Sequence, residues 1–197
     1  MIAGLILAAG ESRRMRRDKA LLTYRGHTFL ETVILSLRGA GVRDITVVLG
    51  HHAEEIQRAV DLSGVRVVLN LDYQHGQTSS LQAGLAAVRT LSPDAVILCL
   101  VDHPAVSAEL VGKLISSFEK DRPPAVITTY RGERGHPVVI SRTLFGEILA
   151  LTPDGAANTV TRKYRDATQF VEVEDRSILL DVDDPETYER LGEGGRQ

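Results

Sequence analysis

The first nineteen residues join an apolar run to a turn of small residues and then to a cluster of positive charge. Ala8, Ala9 and Gly10 carry almost no side chain, so a ligand can lie against their backbone and accept hydrogen bonds from their N–H groups. The cationic residues that follow are Arg13, Arg14, Arg16, Arg17 and Lys19. A bare turn at a strand end beside concentrated positive charge suits a polyphosphate. The run therefore predicts a nucleoside-triphosphate (NTP) site.

Two widespread phosphate-binding patterns are absent from this run. It lacks both the P-loop spacing of glycines followed by Lys-Ser or Lys-Thr and the dinucleotide pattern GxGxxG. A turn followed by a solvated basic segment is the simpler interpretation of a generic glycine and arginine loop. Residue types alone leave both interpretations open.

A carboxylate at the end of the most hydrophobic run is the second candidate. Asp102 follows residues 95–101 and precedes His103 and Pro104. A charge there needs a partner, because burial of an unpaired charge is prohibitive. Asp102 would have such a partner if it capped a helix, if it formed an ion pair or if it bound Mg²⁺. Since Mg²⁺ prefers one or two carboxylates with phosphate oxygens and water, a metal site needs a second carboxylate from elsewhere.

Strand-like apolar runs alternate with helical periodicity in the first half of the chain. The predicted strands are 2–7, 45–49, 65–69 and 95–101, separated by helices near 29–37, 53–60 and 78–88. This alternation predicts an α/β domain with a Rossmann-like open, mostly parallel sheet and helices on both faces. The turn at Gly10, residues 73–80 and Asp102 each follow a strand. They should therefore meet at the carboxyl edge of the sheet, where ligands bind in such folds.

The second half is less regular but continues the same domain. Its predicted strands are 126–130, 137–140, 168–174 and 178–182, and its predicted helices follow Ser107 and cover 143–150, 155–165 and 185–191. We expect one domain over residues 1–191 and a frayed tail over 192–197.

Composition excludes several classes of function. The chain has 197 residues, a net charge of −3 and 5% aromatic residues, so neither a nucleic-acid nor a membrane partner is expected. No apolar stretch reaches membrane-spanning length, and no basic region precedes the first apolar run as in a signal peptide. Cys99, the single cysteine, is expected to be buried and inert. These features predict a cytoplasmic protein. The adjacent His51 and His52 have no metal-ligand spacing and are expected to be solvated loop residues.

The string LAAGxSxRM followed by Lys19 resembles the opening signature of the MobA-like nucleotidyltransferases, most closely the molybdenum cofactor cytidylyltransferases. The resemblance implies a nucleotide-diphospho-sugar transferase-like fold whose first loop wraps the triphosphate. Arg14 and Lys19 fall at the basic positions of that family. By resemblance the residues of the loop that bind nucleotide are Leu7, Ala8, Ala9, Gly10, Arg14 and Lys19. Arg16 departs from the family, which usually has Gly after the Met.

The same resemblance assigns the metal ligands. Asp102-His103-Pro104 is similar to the family's Asp-x-Pro, although the middle residue there is usually Gln. The segment DVDDPETY is similar to the closing DxDTPEDY motif and assigns Asp183 as the second ligand. The implied cofactor is Mg²⁺, held by Asp102 and Asp183. Capping of the last helix by Asp183 or Asp184 is the structural alternative.

Other motifs imply the base and acceptor sides. HGQTSSLQAGL resembles a GxxSSLxxG segment that contacts the base, which places Gly76 and Ser80 beside the nucleotide. Thr78 or Ser79 is also expected to cap the helix that begins there. Relatives with Ala-Ala-Gly in the first loop tend to use CTP. RGHPVVI resembles a Gly-x-Pro loop, which places His136 and Pro137 on the acceptor side, and TPDGAANT is an imperfect match to a second acceptor motif.

The resemblance implies a magnesium-dependent nucleotidyltransferase with Arg14, Lys19 and Asp102 as catalytic residues. It would transfer CMP from CTP to a phosphorylated acceptor, the molybdopterin molybdenum cofactor, and release pyrophosphate. A molybdoenzyme or chaperone is the implied protein partner. One alternative is a related enzyme that uses GTP or a sugar-phosphate or other small phosphorylated acceptor. The other is an NTP-binding regulatory or chaperone-like module without turnover, which the departures at Arg16 and His103 keep open.

Overall fold

The computed structural model describes residues 1–12, 14–15, 17–152 and 155–193. Of the predicted basic cluster, Arg13 and Arg16 lie outside the described residues. Two residues of the TPDGAANT segment, Pro153 and Asp154, and positions 194–197 of the predicted tail also lie outside them.

Strands and helices alternate along the described chain. The strands are β1 Ile2–Ala8, β2 Thr23–Tyr24, β3 His27–Thr28, β4 Ile45–Leu49, β5 Val65–Leu69, β6 Ala95–Leu100, β7 Ala125–Tyr130, β8 Glu133–Ser141 and β9 Gln169–Glu172. The helices are α1 Phe29–Gly39, α2 Ala53–Ala59, α3 Gln77–Val88, α4 Ala108–Asp121, α5 Phe145–Leu149, α6 Asn158–Lys163 and α7 Pro185–Glu193. The helix α7 continues past the predicted start of the tail at residue 192.

Seven strands form one sheet in the order β5-β4-β1-β6-β8-β7-β9. The strand β1 pairs in parallel with both β4 and β6, and β4 pairs in parallel with β5. The strand β8 is antiparallel to both β6 and β7, whereas β9 pairs in parallel with β7. The α/β prediction with a mostly parallel open sheet is therefore confirmed.

Both faces of the sheet are buried, which explains the continuous apolar runs of the central strands. Alternate residues of β1 enter different cores: Ile6 packs with α1 and α4, and Leu5 packs with α3 and α5. Both side chains are fully buried. Cys99 in β6 is 2% exposed, and burial raises the pKa of its thiol to about 12, which confirms an inert cysteine.

The prediction of a strand at 178–182 is wrong. Arg176–Leu179 form a short 3-10 helix, and the apolar residues of this segment are anchors rather than members of the sheet. Ile178 and Val182 are both fully buried. The Ile178 carbonyl lies so near Gly135 that a Cβ at this glycine would clash with the carbonyl oxygen. The small hairpin of β2 and β3 was not predicted, because a strand of two residues is too short to show the alternation of apolar and polar residues.

No described helix combines the length and apolar character needed to cross a membrane. The carboxyl ends of β1 and β6 lie side by side, since the Val101 N–H donates to the Leu7 carbonyl at 3.1 Å. The segments that follow these two strands therefore begin at the same edge of the sheet.

Candidate functional site

A cavity of about 540 Å³ opens where β1 and β6 end. It brings together all the residues predicted to bind the nucleotide or the metal: Leu7, Ala8, Ala9, Gly10, Arg14, Lys19, Gly76, Ser80, Asp102 and Asp183. These residues come from four separate segments of the chain. The placement agrees with the expectation that ligand-binding segments of an open α/β sheet meet at its carboxyl edge.

Lys19 lies between the two predicted metal-binding carboxylates. Its Nζ donates to Asp102 Oδ2 at 3.0 Å and also to Asp183 Oδ1. The Lys19 side chain is 12% exposed, and those of Asp102 and Asp183 are 22% and 28% exposed. Arg14, which is 71% exposed, pairs with the other oxygen of Asp183. Two cations and two anions thus form one partly buried cluster.

The C-terminal segment reaches this cluster through backbone and aromatic contacts. The Val182 N–H donates to the Asp102 carbonyl at 3.0 Å, which places the next residue, Asp183, beside Asp102. Tyr188 of α7 donates its hydroxyl to the Thr23 carbonyl at 2.9 Å.

Of the two aspartates that could cap the last helix, Asp184 and not Asp183 makes the capping hydrogen bond. Asp184 Oδ1 accepts the Thr187 N–H at 2.8 Å, which is the first-turn bond of a capping residue. The carboxylate of Asp183 is therefore left to the ion cluster.

The charges in the cluster reinforce one another. Burial by itself would lower the pKa of Lys19, but the charge of Asp102 and the hydrogen bonds that Lys19 donates to both carboxylates raise it above its ordinary value. The hydrogen bond from Lys19 is the main reason that the pKa of Asp183 is lowered. Lys19 and Asp183 consequently stay charged at neutral pH.

The loop between β1 and Lys19 is held by side chains that sequence reasoning did not single out. Ser12 Oγ accepts the Lys19 N–H at 3.1 Å, and Ser12 itself has a left-handed φ of 50°. Asp18 Oδ1 accepts the Ala20 N–H at 3.0 Å. Ser12 is the serine of the string LAAGxSxRM, so the sequence did contain a signal for its role in holding the loop. At Gly10 a Cβ would meet no atom of the described residues within 4 Å, so the backbone there borders space that these residues leave open.

The segment before α3 forms the opposite wall of the cavity. The prediction that Thr78 or Ser79 caps this helix is wrong. The residue that precedes the helix is Gly76, at φ 94°, and it offers no side chain for capping. Ser79 Oγ instead donates to the Gly76 carbonyl at 2.8 Å. Ser80 is 5% exposed, and its hydroxyl accepts from Asn70 Nδ2 at 3.0 Å. Asn70 was not predicted to support this wall.

A second cavity of about 390 Å³ adjoins the first, and Leu7 and Gln77 line both. His136, which the sequence predicts to lie on the acceptor side, is in its wall. Pro137 is buried next to it without being among the residues that line either cavity, and its carbonyl accepts the Thr128 hydroxyl at 2.6 Å.

Further polar residues of the second cavity were missed by sequence reasoning. They are Arg134, Asn158, Thr161 and Arg162. Arg134 and Asn158 fall within the RGHPVVI and TPDGAANT segments without having been singled out there, whereas Thr161 and Arg162 of α6 belong to no local motif. The two arginines give this cavity the charge that a phosphorylated molecule requires.

Two imidazoles stand near the junction of the cavities. The rings of His103 and His136 have centroids 5.4 Å apart. Burial lowers the pKa of His103, and burial together with the neighbouring His103 lowers the pKa of His136 to about 4. Both rings are therefore neutral at physiological pH and can act as hydrogen-bonding groups.

The Asp102 and Asp183 pair suits a divalent cation. The two carboxylates already converge on one cationic atom, Lys19 Nζ, so this position is electrostatically favourable for positive charge. An oxygen donor set of one or two carboxylates is the type that Mg²⁺ and Mn²⁺ prefer.

Comparison with known proteins agrees with the geometry. The family model described as MobA-like NTP transferase domain matches residues 4–168. The nicotine blue oxidoreductase of Paenarthrobacter nicotinovorans is 32% identical over 96% of this chain and 96% of its own. The molybdenum cofactor cytidylyltransferase of Escherichia coli K12 is 28% identical over 93% of this chain and 92% of its own.

Among solved structures, Rv0371c of Mycobacterium tuberculosis H37Rv is similar over nearly the whole chain. Its crystal structure has a TM-score of 0.87 at 32% identity and covers 98% of this chain and 97% of that one. A structure of the same protein in complex with manganese has a TM-score of 0.83 at 31% identity, with 98% of both chains covered.

Proposed function

The chain belongs to the MobA-like NTP transferase domain family, and from this premise we propose that it transfers CMP from CTP to the molybdopterin molybdenum cofactor and releases pyrophosphate. The single observation that carries this proposal is the Lys19 ammonium held between Asp102 and Asp183 at the end of the phosphate loop. That cluster combines a divalent-cation ligand set with the positive charge that a triphosphate needs.

The proposed reaction joins an acceptor phosphate oxygen to the α-phosphorus of CTP. The bond from the α-phosphorus to the oxygen that bridges to the β-phosphate breaks, and its electron pair leaves on pyrophosphate. A phosphate monoester dianion is itself nucleophilic, so the protein need not supply a nucleophile. The contribution of the chain is then positioning and electrostatic stabilisation.

Different residues around the first cavity would position the nucleotide and stabilise its charge. The backbone at Ala8, Ala9 and Gly10 would lie along the phosphates, and Gly76 and Ser80 would lie beside the base. Lys19 and Arg14 would stabilise the negative charge that builds on the leaving pyrophosphate. A divalent cation held by Asp102 and Asp183 would supply Lewis-acid polarisation of phosphate oxygens. The manganese complex of Rv0371c supports a divalent cation, and Mg²⁺ is the cation that we propose here.

The second cavity supports a phosphorylated acceptor. Arg134 and Arg162 line it and can bind an anionic group, while His136 offers a neutral ring nitrogen. Because this cavity shares a wall with the first, an acceptor bound there would lie close to the NTP.

The decisive experiment incubates the protein with each of the four NTPs, Mg²⁺ and metal-loaded molybdopterin, and measures pyrophosphate. We expect release with CTP only when the acceptor is present. A preference for GTP, or activity with a sugar phosphate instead, would favour the related enzyme. Magnesium-dependent NTP binding without pyrophosphate release for any acceptor would favour a non-catalytic NTP-binding module.

Replacement of Lys19 tests the cluster itself. In Lys19→Met the charge that faces the leaving group is lost, and we expect kcat/KM for CTP to fall about 100-fold or more. Lys113→Met is the matched control, because Lys113 pairs with Glu109 on the surface of α4. Full activity of Lys19→Met would remove Lys19 from the mechanism.

The similarity to nicotine blue oxidoreductase favours a second candidate, an oxidoreductase that uses the same cavity. Oxidation of NADH or NADPH by the protein with a quinone-like dye as electron acceptor tests it. Turnover of reduced cofactor without pyrophosphate release would replace the transferase proposal.

A further inference from the structure

Three potential metal ligands converge next to the phosphate loop, outside the Lys19 cluster. Asp18, His51 and His52 each present one ligand atom, and these three atoms all lie within 4.8 Å of one another. The two histidines follow β4, and the aspartate immediately precedes Lys19. The histidines have no metal-ligand spacing in the sequence, so only the fold brings a third ligand to them.

The Asp18 carboxylate has one oxygen without a hydrogen bond. Its side chain is 6% exposed, and Oδ1 accepts the Ala20 N–H at 3.0 Å. The other oxygen, Oδ2, is buried and accepts no hydrogen bond from the described part of the chain. His52 Nδ1 lies 3.8 Å from this oxygen. An anionic oxygen in such a place requires a cation, because burial without a partner is costly.

His51 repeats this pattern. Its Nδ1 is buried and has no hydrogen-bond partner among the described residues. Its backbone N–H donates to the Ala9 carbonyl at 3.2 Å, which anchors the turn against the phosphate loop. Two buried polar atoms, one on Asp18 and one on His51, thus find no hydrogen-bond partner in residues 1–12, 14–15, 17–152 and 155–193.

The backbone after β4 brings the two rings together. His52 has a left-handed conformation, with φ 52° and ψ 27°, which non-glycine residues rarely adopt. This conformation lets successive side chains face the same region instead of opposite sides. The ring centroids of His51 and His52 are consequently 3.7 Å apart.

We propose that Asp18, His51 and His52 form a binding site for a divalent transition-metal cation of the Zn²⁺ type. The ligand set is one carboxylate oxygen and one ring nitrogen from each histidine. Imidazole favours Zn²⁺, Co²⁺ and Ni²⁺, whereas Mg²⁺ strongly prefers oxygen ligands. Glu55 lies at the rim, with Oε2 3.9 Å from His52 Nδ1, and can supply a fourth ligand or an outer-shell hydrogen bond.

The electrostatics agree with a cation at this position. Burial raises the pKa of Asp18, although the Ala20 hydrogen bond and the two histidines act in the opposite direction. A bound dication would offset that burial. It would also connect the turn after β4 to the residue before Lys19, and so restrain the end of the phosphate loop. None of its ligands belongs to the Asp102 and Asp183 pair.

The test is binding of Co²⁺ and Zn²⁺ to the purified protein. Calorimetry should give one equivalent of Zn²⁺, and Co²⁺ should give the visible absorption of a site with four or five ligands. Asp18→Asn, His51→Gln and His52→Gln should each weaken binding about tenfold or more, and the triple variant should abolish it. Asp18→Asn keeps an oxygen for the Ala20 N–H, and circular dichroism without metal checks that each variant folds.

Two controls separate this site from the other metal candidates. His27→Gln removes an exposed histidine of β3 and should bind Zn²⁺ as the parent does. Asp102→Asn with Asp183→Asn should also retain the equivalent of Zn²⁺. Retained binding in the triple variant, loss of binding in the Asp102 and Asp183 variant, or binding only at millimolar metal would overturn the proposal.

Discussion

At the scale of single residues, Lys19 organises the candidate site. Its ammonium is the one group that contacts both Asp102 and Asp183 among the described residues. Without it, two partly buried carboxylates would face each other, and like charges at short range repel. Arg14 cannot substitute for it, because that guanidinium is mostly exposed and, within the described part of the chain, pairs with Asp183 and not with Asp102.

The hydrogen bond from Lys19 makes the stability of the protein depend on Asp183 at acid pH. Because the pKa of Asp183 is lowered in the folded state, its contribution is complete above the ordinary value of 3.8. The contribution of Asp183 to the free energy of unfolding is lost as the pH falls through its lowered pKa, since protonation breaks the pair with Lys19. The difference in melting temperature between the parent and Asp183→Asn should therefore shrink between pH 6 and pH 2. Asp121→Asn, at an exposed aspartate of α4, is the control. A difference that stays constant over this range would contradict the assignment.

At the scale of elements, the site depends on where helices and strands end. The helix α1 begins with a capping box between Thr28 and Glu31, and α4 begins with Ser107, whose hydroxyl accepts the Leu110 N–H. The helix α3 instead begins after Gly76 without a side-chain cap. Its first turn therefore exposes backbone groups at the wall where we expect the base.

Close packing of α3 on the sheet gives an element-scale prediction. A Cβ at Gly84 would lie 2.5 Å from Leu5 Cδ1 and 2.9 Å from Val48 Cγ2. Gly84→Ala should therefore lower the free energy of unfolding by about 1–3 kcal/mol, although alanine favours helices. Gly112→Ala in α4, where a Cβ meets nothing within 4 Å, should raise it by up to about 1 kcal/mol. Urea denaturation measures both, and equal effects at the two sites would refute the packing argument.

At the scale of the whole molecule, two cavities share one wall at the carboxyl edge of the sheet. The first is formed by segments that follow β1, β5 and β6 together with the segment before α7, and the second mainly by β8, α3 and α6. The antiparallel strand β8 carries Arg134 and His136 into the second cavity. Under the proposed function, binding of donor and acceptor would be divided between the parallel half and the antiparallel half of the sheet.

This division predicts separable effects on the two substrates. Arg162→Ala should raise KM for the phosphorylated acceptor about tenfold, because one charge-assisted hydrogen bond is lost. The Kd for CTP, measured by calorimetry, should be unchanged. Arg165→Ala, an exposed arginine next to α6, serves as the control. Weaker CTP binding with an unchanged acceptor KM would mean that the second cavity does not hold the acceptor.

Most of the fold was predictable because its signals are local. The apolar runs of β1, β4 and β6 and the period of α1 each lie within a few residues of sequence. The segment 178–182 was misjudged for the same reason. Its short apolar run fits a strand, but tertiary contacts bury Ile178 beside Gly135 of β8 and Val182 beside Asp102.

The sequence by itself determined the type of chemistry: a bare turn, adjacent cations, and a carboxylate at the end of a buried strand. It also placed these groups at one edge of the sheet, because parallel strands share their direction. Only the tertiary structure decided which charges pair. Lys19 and Asp183 are separated by 164 positions, and no local pattern encodes their contact. The convergence of Asp18 with His51 and His52 has the same origin, since packing of loops in space, and not residue spacing, brings their ligand atoms together.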